Sequence, residues 1–280
     1  MQDGIPSRTA LGVALRRSVH QLYDQPLVLD DPVAAKLLGS AYPDELQQAE
    51  VERNGTFAEI FRAFLVARSR YAEDNLRRAV EAGVRQYVLL GAGLDTFAYR
   101  NPHSGLRVFE VDHPATQAWK QDLLRRSGIE APSSLRFVPV DFERQGLADQ
   151  LGAAGFDFGT PAFFAWLGVV PYLTIEAFRG TVGLIADRPV GSGAALDYVV
   201  PRESLPFHER LARDLLASRV RKAGEPFRLS FTPEQIASEL AEFRQIEDIG
   251  SKEINARYFA GRTDRLGFKG SSGRLLCAWR

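Results

Sequence analysis

The chain has very few of the residues from which disulfide frameworks and metal sites are built. Among its 280 residues there is one cysteine, Cys277, and there are four histidines. A single thiol cannot form an internal disulfide or a thiolate metal cluster. We therefore expect neither a disulfide-stabilised fold nor a bound metal, and the low cysteine content fits a protein of the reducing cytoplasm.

Long apolar runs and an excess of either charge are also missing. No window approaches the roughly 18 apolar residues that a membrane-spanning helix needs. The first residues, MQDGIPSRTALGVALRRS, do not resemble a secretory signal. Lysine plus arginine equals aspartate plus glutamate at 35 each. The composition thus gives no electrostatic reason to expect binding to nucleic acid or to an anionic membrane.

The first part of the chain, residues 1–83, is predicted to be helical. The segment DPVAAKLL places an acid and Pro32 where a helix can begin. From Phe57 to Ala82, apolar residues recur at the spacing of an amphipathic helix. Gly83 is suited to end that helix. We interpret residues 1–83 as a helical N-terminal extension that acts as a lid.

Beyond residue 83, short apolar runs alternate with helix-compatible segments. The runs are 86–91, 107–112, 135–141, 162–170 and 193–200. This alternation predicts right-handed crossover units and a mostly parallel sheet. Because the runs are apolar on both faces, we expect helices to cover the sheet on both sides. The predicted fold class is α/β with a doubly wound sheet, whose core is assigned to residues 84–200.

The last third of the chain is less regular. Residues 201–230 are polar and are assigned to a cap insert of helix and loop. In residues 231–280, Thr232 is a predicted helix N-cap, with Gln235 closing a capping box. Two strand-like runs, FRQIEDIG and RLLCAWR, follow, and late strands often form an antiparallel edge on such a sheet. Residues 1–280 are therefore interpreted as a single domain.

The segment LLGAGLDT places two glycines directly after the first predicted core strand. Gly91 and Gly93 allow a tight turn and let a ligand approach the backbone. In doubly wound folds, ligands bind at the carboxyl ends of the strands, where the strand order reverses. A dinucleotide-binding turn has a third glycine, and this chain has Thr96 in that place. The turn is either a nucleotide-type site without a pyrophosphate cradle or a sharp corner without a ligand.

Acidic residues stand at or just past the ends of the first three predicted core strands: Asp95, Asp112 and Asp141. Asp112 comes about twenty residues after Gly91, where this architecture places a carboxylate that binds ribose hydroxyls. Glu110 shares its strand face and is the second choice. Asp141 is suited to accept the amine of an adenine, and Phe142 to border the ring. The alternative is a set of capping or loop acids, but three in succession favour a ligand.

Arg68 and Arg70 lie in VARSRYAED, late in the helix before the first core strand. A guanidinium fork is suited to a carboxylate ligand. A surface ion pair on a charged helix is the alternative, and from spacing alone we favour the ion pair.

Together these motifs resemble the leucine carboxyl methyltransferase family. These class I enzymes use S-adenosylmethionine and include protein-phosphatase carboxyl methyltransferases and bacterial small-molecule O-methyltransferases. The resemblance covers nearly the whole chain and rests on VARSR (66–70), LLGAGLDTFAYR (89–100), FEVDHPATQAWK (109–120), VPVDFE (138–143), AWLGVVPYLT (165–174) and RYFAGR (257–262). It implies a Rossmann-like sheet of seven strands and a methyltransferase that converts S-adenosylmethionine to S-adenosylhomocysteine.

The resemblance also implies a set of residues that contact the cofactor: Arg68, Gly91, Gly93, Asp112, Asp141 and Phe142. The arginine would hold the carboxylate of the methionine part, and the glycines would let the backbone approach the methionine and the ribose. Asp112 would bind the ribose hydroxyls, and the last two residues would contact the adenine.

One position departs from the family pattern. Many members carry a glutamate early in the fourth strand, where this chain has Trp166. We therefore do not expect this position to bind the amino group of the cofactor here. We interpret Trp166 as a core residue, with packing beside the cofactor as the alternative.

The sequence offers no convincing general base. Methyl transfer from a sulfonium is an in-line displacement, so the protein mainly has to align the reactants. A carboxylate acceptor is ionised at neutral pH, whereas a phenol, with a pKa of about 10, gains from a base. We interpret His20 and His208 as surface residues and expect His113 to border the cofactor. The missing base favours a carboxylate acceptor or a purely proximity-driven O-methylation.

Two residues are candidates for contact with the acceptor. Tyr198, at the end of the fifth strand, is placed to face it, with core packing as the alternative. Arg257 is suited to attract an acidic substrate, although we favour an ion pair with Glu253, four residues earlier.

Three functions are compatible with these residues. The first is O-methylation of a carboxylate or hydroxyl of a small molecule or a peptide C-terminus. The second is an NAD(P)-dependent oxidoreductase, which the missing third glycine disfavours. The third is a methyltransferase-fold protein with a non-methylating role.

Overall fold

The structure, a computed structural model, describes residues 8–39, 41–141, 145–222, 224 and 226–280. Within these residues seven strands form one sheet: β1 (Gln86–Leu90), β2 (Arg107–Asp112), β3 (Leu135–Pro139), β4 (Phe163–Trp166), β5 (Gly193–Val199), β6 (Gln245–Ile249) and β7 (Gly273–Trp279). Their order is β3-β2-β1-β4-β5-β7-β6. Strands β1 to β5 run parallel, and β7 pairs antiparallel with β5 and β6. The predicted doubly wound sheet with an antiparallel edge is confirmed.

Helices precede, connect and follow these strands. Before β1 come α1 (Arg8–Tyr23), α2 (Pro32–Gly39), α3 (Pro43–Val51) and α4 (Thr56–Glu81). Between β2 and β5 lie α5 (Pro114–Arg126), α6 (Leu147–Ala153) and α7 (Ile175–Ala186). Later in the chain are α8 (Phe207–Lys222), α9 (Pro233–Glu239) and α10 (Ser251–Tyr258). No helix in the described part of the chain combines the length and the apolarity needed to span a bilayer.

Two apolar cores cover the two faces of the sheet. On β1, Tyr87 and Leu89 belong to the core under α4, whereas Val88 and Leu90 belong to the core under α7 and α9. All residues of β1 are buried. Side chains of a strand alternate between faces, so a strand buried on both faces needs cover on both sides.

Two helix ends that the sequence predicts are present in the structure. Gly83 has a φ of 100° and follows the end of α4, where the Val84 N–H donates to the carbonyl of Ala79. The Thr232 hydroxyl accepts from the Gln235 N–H, and the Gln235 side chain accepts from the Thr232 N–H. This is the predicted capping box at the start of α9.

The fourth strand is shorter than predicted. The apolar run 162–170 is a strand only over Phe163–Trp166. Gly168 has a φ of 71°, a left-handed conformation that interrupts the regular geometry of a strand. The chain therefore turns at the carboxyl end of β4, as it does at the end of β1.

The strand order reverses at β1, which has β2 on one side and β4 on the other. Such a reversal opens a crevice beyond the carboxyl ends of the strands. The N–H groups of Gly91 and Ala92 both donate to the carbonyl of Val111, which holds the turn after β1 against the end of β2. The fold thus brings the glycine turn and Asp112 to the same edge.

Candidate active site

A cavity of about 1460 Å³ opens at the carboxyl ends of β1, β2, β4 and β5 and is walled by α1, α4, α7 and α8. Sites for single small molecules range over roughly 300–1,000 Å³, so this cavity exceeds what one such ligand requires. It is lined by most of the residues predicted to contact the cofactor: Arg68, Gly91, Gly93, Asp112 and Asp141. Phe142 lies outside the described residues.

The turn after β1 requires glycine. Gly91 has a φ of 67°, and a Cβ there would lie 2.4 Å from Cγ2 of Val169. Gly93 has a φ of 50°, and its N–H donates to Oδ2 of Asp112 at 2.5 Å. Left-handed backbone and close approach are both conditions that only glycine meets without strain. Since the turn lines the cavity, it has the placement that a ligand-binding turn requires.

Asp112 ends β2 with its carboxylate at the cavity wall. The Oδ1 atom accepts from the His113 N–H at 2.7 Å, so both described hydrogen bonds of this carboxylate come from backbone N–H groups. Burial raises the pKa of Asp112, because these two donors do not fully replace its hydration. The site is suited to a ligand that supplies further hydrogen-bond donors, as a ribose diol does.

Asp95 has different surroundings, although it also lines the cavity. Nη1 of Arg17 donates to Oδ2 of Asp95 at 2.8 Å, while Nη2 donates to Asp31 at 2.5 Å and to Thr96 at 3.0 Å. Burial alone would raise the pKa of Asp95, but Arg17 and Arg100 outweigh it and lower the pKa to about 2. Asp95 thus ties α1 to the glycine turn through Arg17, a residue that the sequence did not single out.

Arg68 lies on the buried side of α4, with 8% of its surface exposed. The surface ion pair favoured from spacing is therefore wrong for Arg68, and it describes Arg70, which pairs with Asp74 at 2.9 Å. Nη1 of Arg68 donates to Oδ2 of Asp197 at 3.2 Å. Its buried Nε has no hydrogen-bond partner among the described residues.

Asp197, in β5, is a site residue that sequence reasoning missed. Its Oδ1 accepts from the N–H of Gly168 at 2.5 Å. A Cβ at Gly168 would lie 2.8 Å from Nη1 of Arg68, so the turn after β4 and the guanidinium are in close contact. Strand alternation was the available signal, because Asp197 and Val199 share one face of β5 and both line the cavity.

The two candidates for acceptor contact lie elsewhere. Tyr198 is fully buried on the opposite face of β5, where its hydroxyl donates to Oδ2 of Asp248 at 2.6 Å. The prediction that Tyr198 faces the acceptor is therefore wrong. Side chains alternate between the two faces of β5, so Asp197 points into the cavity and Tyr198 points away from it. Arg257 is not among the described residues that line the cavity, and it pairs with Glu247 at 2.8 Å rather than with Glu253.

The remaining two acids, Glu110 in β2 and Asp141 just after β3, lie in different environments. Asp141 lines the cavity, and its N–H donates to Oε1 of Gln145 at 3.0 Å. Glu110, the second choice for the ribose, is buried and pairs with Lys120 at 2.6 Å. Burial raises the pKa of Glu110 to about 7, although Lys120 opposes the shift. Glu110 is therefore part of the protein interior under α5.

The histidines differ from the predicted arrangement at one position. His20 is buried, with Nδ1 at 2.8 Å from Asp24 and Nε2 accepting from the Val28 N–H at 3.0 Å, so its interpretation as a surface residue is wrong. His208 is exposed. His113 lines the cavity, and its Nδ1 accepts from the Ala115 N–H at the start of α5.

Aromatic and aliphatic side chains line another part of the cavity: Val13, Phe57, Ile60, Phe61, Phe64 and Phe268.

Arg213 of α8 also lines the cavity and donates to the carbonyl of Val200. Burial lowers the pKa of Arg213, and none of the carboxylates in the described ranges forms an ion pair with it. Trp166 is buried, stacks on Phe178 with 5.4 Å between ring centroids, and contributes to the lining.

Metal ligands are not clustered in this cavity or elsewhere in the described ranges. No group of three or more histidine, cysteine, aspartate or glutamate side chains there is arranged to hold a metal ion.

Comparison with known proteins gives consistent results. The family model for leucine carboxyl methyltransferase matches residues 10–186. A protein described as an S-adenosyl-L-methionine-dependent methyltransferase, YktD of Bacillus subtilis, is 31% identical over 95% of this chain and 95% of its own length. A protein of the same description from Mycolicibacterium smegmatis is 34% identical over 74% of this chain and 72% of its own.

Solved structures share the fold. The crystal structure of a methyltransferase from Thermobifida fusca superimposes with a TM-score of 0.61 and covers 100% of this chain and 96% of that one, at 17% identity. At that identity the similarity bears on the fold alone.

Proposed function

The chain belongs to the leucine carboxyl methyltransferase family, and from this premise we propose that it methylates an oxygen atom of an apolar acceptor, with a carboxylate as the preferred group. It is an S-adenosylmethionine-dependent methyltransferase. The acceptor is a small molecule or a peptide C-terminus with an apolar body. The oxidoreductase alternative loses its support, because the relatives are methyltransferases and the third glycine is missing.

The residues around the glycine turn fit the cofactor. Asp112 has acceptor capacity beyond its two backbone bonds, and the buried Nε of Arg68 has no described partner. In this proposal Asp112 binds the ribose hydroxyls, Asp141 the adenine and Arg68 the methionine carboxylate, while Gly91 and Gly93 keep the turn free of side chains. When bound, the cofactor supplies a methyl group on a sulfonium, which is already activated for displacement.

The single observation that carries the proposal is that one cavity contains both the glycine turn and the apolar lining. The residues of α1 and α4 can hold an acceptor beside the turn and exclude water, and alignment is the main catalytic requirement. An ionised carboxylate needs no base. His113 is the histidine among the described lining residues, and it stands next to Asp112, on the side assigned to the nucleoside. Arg213 supplies a cation without a partner carboxylate for an anionic acceptor.

A labelled-methyl assay tests the proposal. Purified protein would be incubated with labelled S-adenosylmethionine and with pairs of apolar carboxylic acids and phenols of matched shape. We expect label to enter the acids and to be released as methanol by mild alkali, because methyl esters hydrolyse and aryl ethers do not. Alkali-stable label in the phenols would contradict the carboxylate preference. Binding of S-adenosylhomocysteine without transfer to any of these acids or phenols would contradict the proposed acceptor class.

Substitution of Arg213 gives a matched pair of variants on one helix. For Arg213→Met we expect the KM for the acid to rise about tenfold with kcat little changed, because a binding charge is lost. Arg210→Met is the control, since Arg210 is bonded to the carbonyls of Leu205 and Glu203 and is not among the described lining residues. Equal KM values for the two variants would remove Arg213 from the acceptor site.

A further inference from the structure

Asp197 is a buried carboxylate in the wall of the cavity, and the sequence motifs leave it without a role. It is 4% exposed and is held by two donors, the N–H of Gly168 at 2.5 Å and Nη1 of Arg68 at 3.2 Å. Each carboxylate oxygen has two lone pairs, so both oxygens keep capacity for another donor.

The pair formed by Arg68 and Asp197 stands close to the glycine turn. Gly168 contacts the guanidinium, and the next residue, Val169, fills the space beside Gly91. Asp112 approaches the same turn from β2, where its carboxylate accepts a hydrogen bond from the Gly93 N–H. The turn after β1 is therefore flanked by an acid on the β2 side and by an arginine–aspartate pair on the side of β4 and β5.

The other acids around this turn are engaged differently. Asp95 is bonded to Arg17, and Asp112 to two backbone N–H groups. Trp166, at the end of β4, stacks on Phe178 and carries no charge. Among the described acids, Asp197 is the one that pairs with Arg68.

The amino acid part of the cofactor is a zwitterion, with an ammonium and a carboxylate on the same carbon. Such a head group needs a cation and an anion side by side, and a buried ammonium without an anionic or hydrogen-bonding partner is strongly disfavoured. We propose that Asp197 accepts hydrogen bonds from the α-ammonium of S-adenosylmethionine, while the adjacent Arg68 binds its α-carboxylate. This inference rests on the placement of the cofactor described under Proposed function.

The test measures binding by calorimetry, so that no acceptor is needed. The ligands are S-adenosylhomocysteine, its deaminated analogue, its decarboxylated analogue, and 5′-methylthioadenosine, which lacks the amino acid part. Asp197→Asn keeps the shape of the side chain and an oxygen for the Gly168 N–H. Asp248→Asn is the matched control, because Asp248 is also paired with an arginine, Arg274, at 2.9 Å, and is not among the described cavity residues.

For Asp197→Asn we expect the affinity for S-adenosylhomocysteine and for the decarboxylated analogue to fall about tenfold or more, since a charge-assisted hydrogen bond is lost. Affinity for the deaminated analogue and for 5′-methylthioadenosine should change less than twofold. Asp248→Asn should bind all four ligands like the unaltered protein. An equal loss for the deaminated analogue and S-adenosylhomocysteine would overturn the assignment, because Asp197 would then act only by positioning Arg68.

The ligands alone also test the inference if Asp197→Asn does not fold, as judged by its thermal midpoint. The unaltered protein should bind the deaminated analogue at least tenfold more weakly than S-adenosylhomocysteine, and equal affinities would overturn the proposal. Failure of the unaltered protein to bind either S-adenosylhomocysteine or 5′-methylthioadenosine would instead overturn the placement of the cofactor, and the role of Asp197 with it.

Discussion

Asp95 and Asp112 line the same cavity at the same edge of the sheet, yet their environments are opposite. Asp95 is paired with the Arg17 guanidinium, and the pKa of this carboxyl is lowered to about 2. Asp112 is bonded to two backbone N–H groups, and burial raises its pKa. The charge of Asp95 is neutralised by Arg17 within the protein, whereas Asp112 can still accept hydrogen bonds from a ligand.

This difference separates a residue that holds the fold from a residue that is available to a ligand. Arg17, Asp31 and Asp95 form a buried network that joins α1 to the turn after β1. Asp112 takes no part in these ion pairs. Of these two acids, Asp112, whose described partners are backbone groups, is thus the binding candidate, and Asp95, which a buried cation neutralises, has a structural role.

The largest expected effect is on the structural side of this comparison. Replacing Arg17 with methionine removes the cation that the buried Asp31 and the half-buried Asp95 share, and among the described cations it leaves Asp31 paired with Arg100 alone. We therefore expect the free energy of unfolding to fall by about 3–5 kcal/mol. Urea denaturation measures the change. Arg125→Met is the control, because Arg125 forms an exposed pair with Asp122 and should shift the value by about 1 kcal/mol or less. Similar values for both variants would place Arg17 outside the stabilising network.

A smaller effect on stability, together with a loss of binding, is expected at Asp112. In Asp112→Asn the carboxylate that meets the ribose hydroxyls is lost, and we expect the affinity for S-adenosylhomocysteine to fall about tenfold or more. The free energy of unfolding should also fall, by about 1–3 kcal/mol, because asparagine offers one oxygen to the two backbone N–H donors that Asp112 satisfies. Calorimetry and urea denaturation on the same samples measure both quantities. Unchanged affinity would remove Asp112 from the ribose site.

The smallest effects should appear on mild acidification. Burial raises the pKa of Asp112, so its carboxylate is protonated at a higher pH than that of an ordinary aspartate. As the pH is lowered, cofactor affinity should begin to fall while the pH is still above the ordinary aspartate pKa of about 4. The ionised form of Asp95 stabilises the fold at pH values above its ordinary pKa, and this contribution is lost only as pH falls through about 2. Affinity measured by calorimetry should therefore decline at a pH where the folded fraction is still constant. Simultaneous loss of both would contradict the distinction between the two acids.

The sheet was predictable because its signals are local. The alternation of apolar runs and helical segments gave β1 to β5, and the capping box gave the start of α9. The run at 162–170 was overextended because a single glycine, Gly168, turns the chain after Trp166. The turn is in contact with residues that are distant in the sequence, and no local sequence pattern predicts such contacts.

The site was predictable where a motif encodes it and not where long-range contacts do. The positions of Gly91, Gly93 and Asp112 at the cavity follow from their place after two parallel strands. The pair between Arg68 and Asp197 joins residues 129 positions apart. The prediction for Tyr198 is wrong because the face of β5 that meets the cavity is fixed by pairing with β4 and β7, which the sequence of β5 alone does not contain.

The contact between Val169 and the space above Gly91 has a consequence for how this turn can change during evolution. A side chain at position 91 meets two separate obstacles. Its Cβ would lie 2.4 Å from Cγ2 of Val169, and the backbone φ there is 67°. A smaller residue at 169 removes the first obstacle but leaves the second, which disfavours any residue other than glycine by about 1–2 kcal/mol. No single mutation at another position removes both obstacles. We therefore expect the residues around Gly91 to vary within the family more than Gly91 itself.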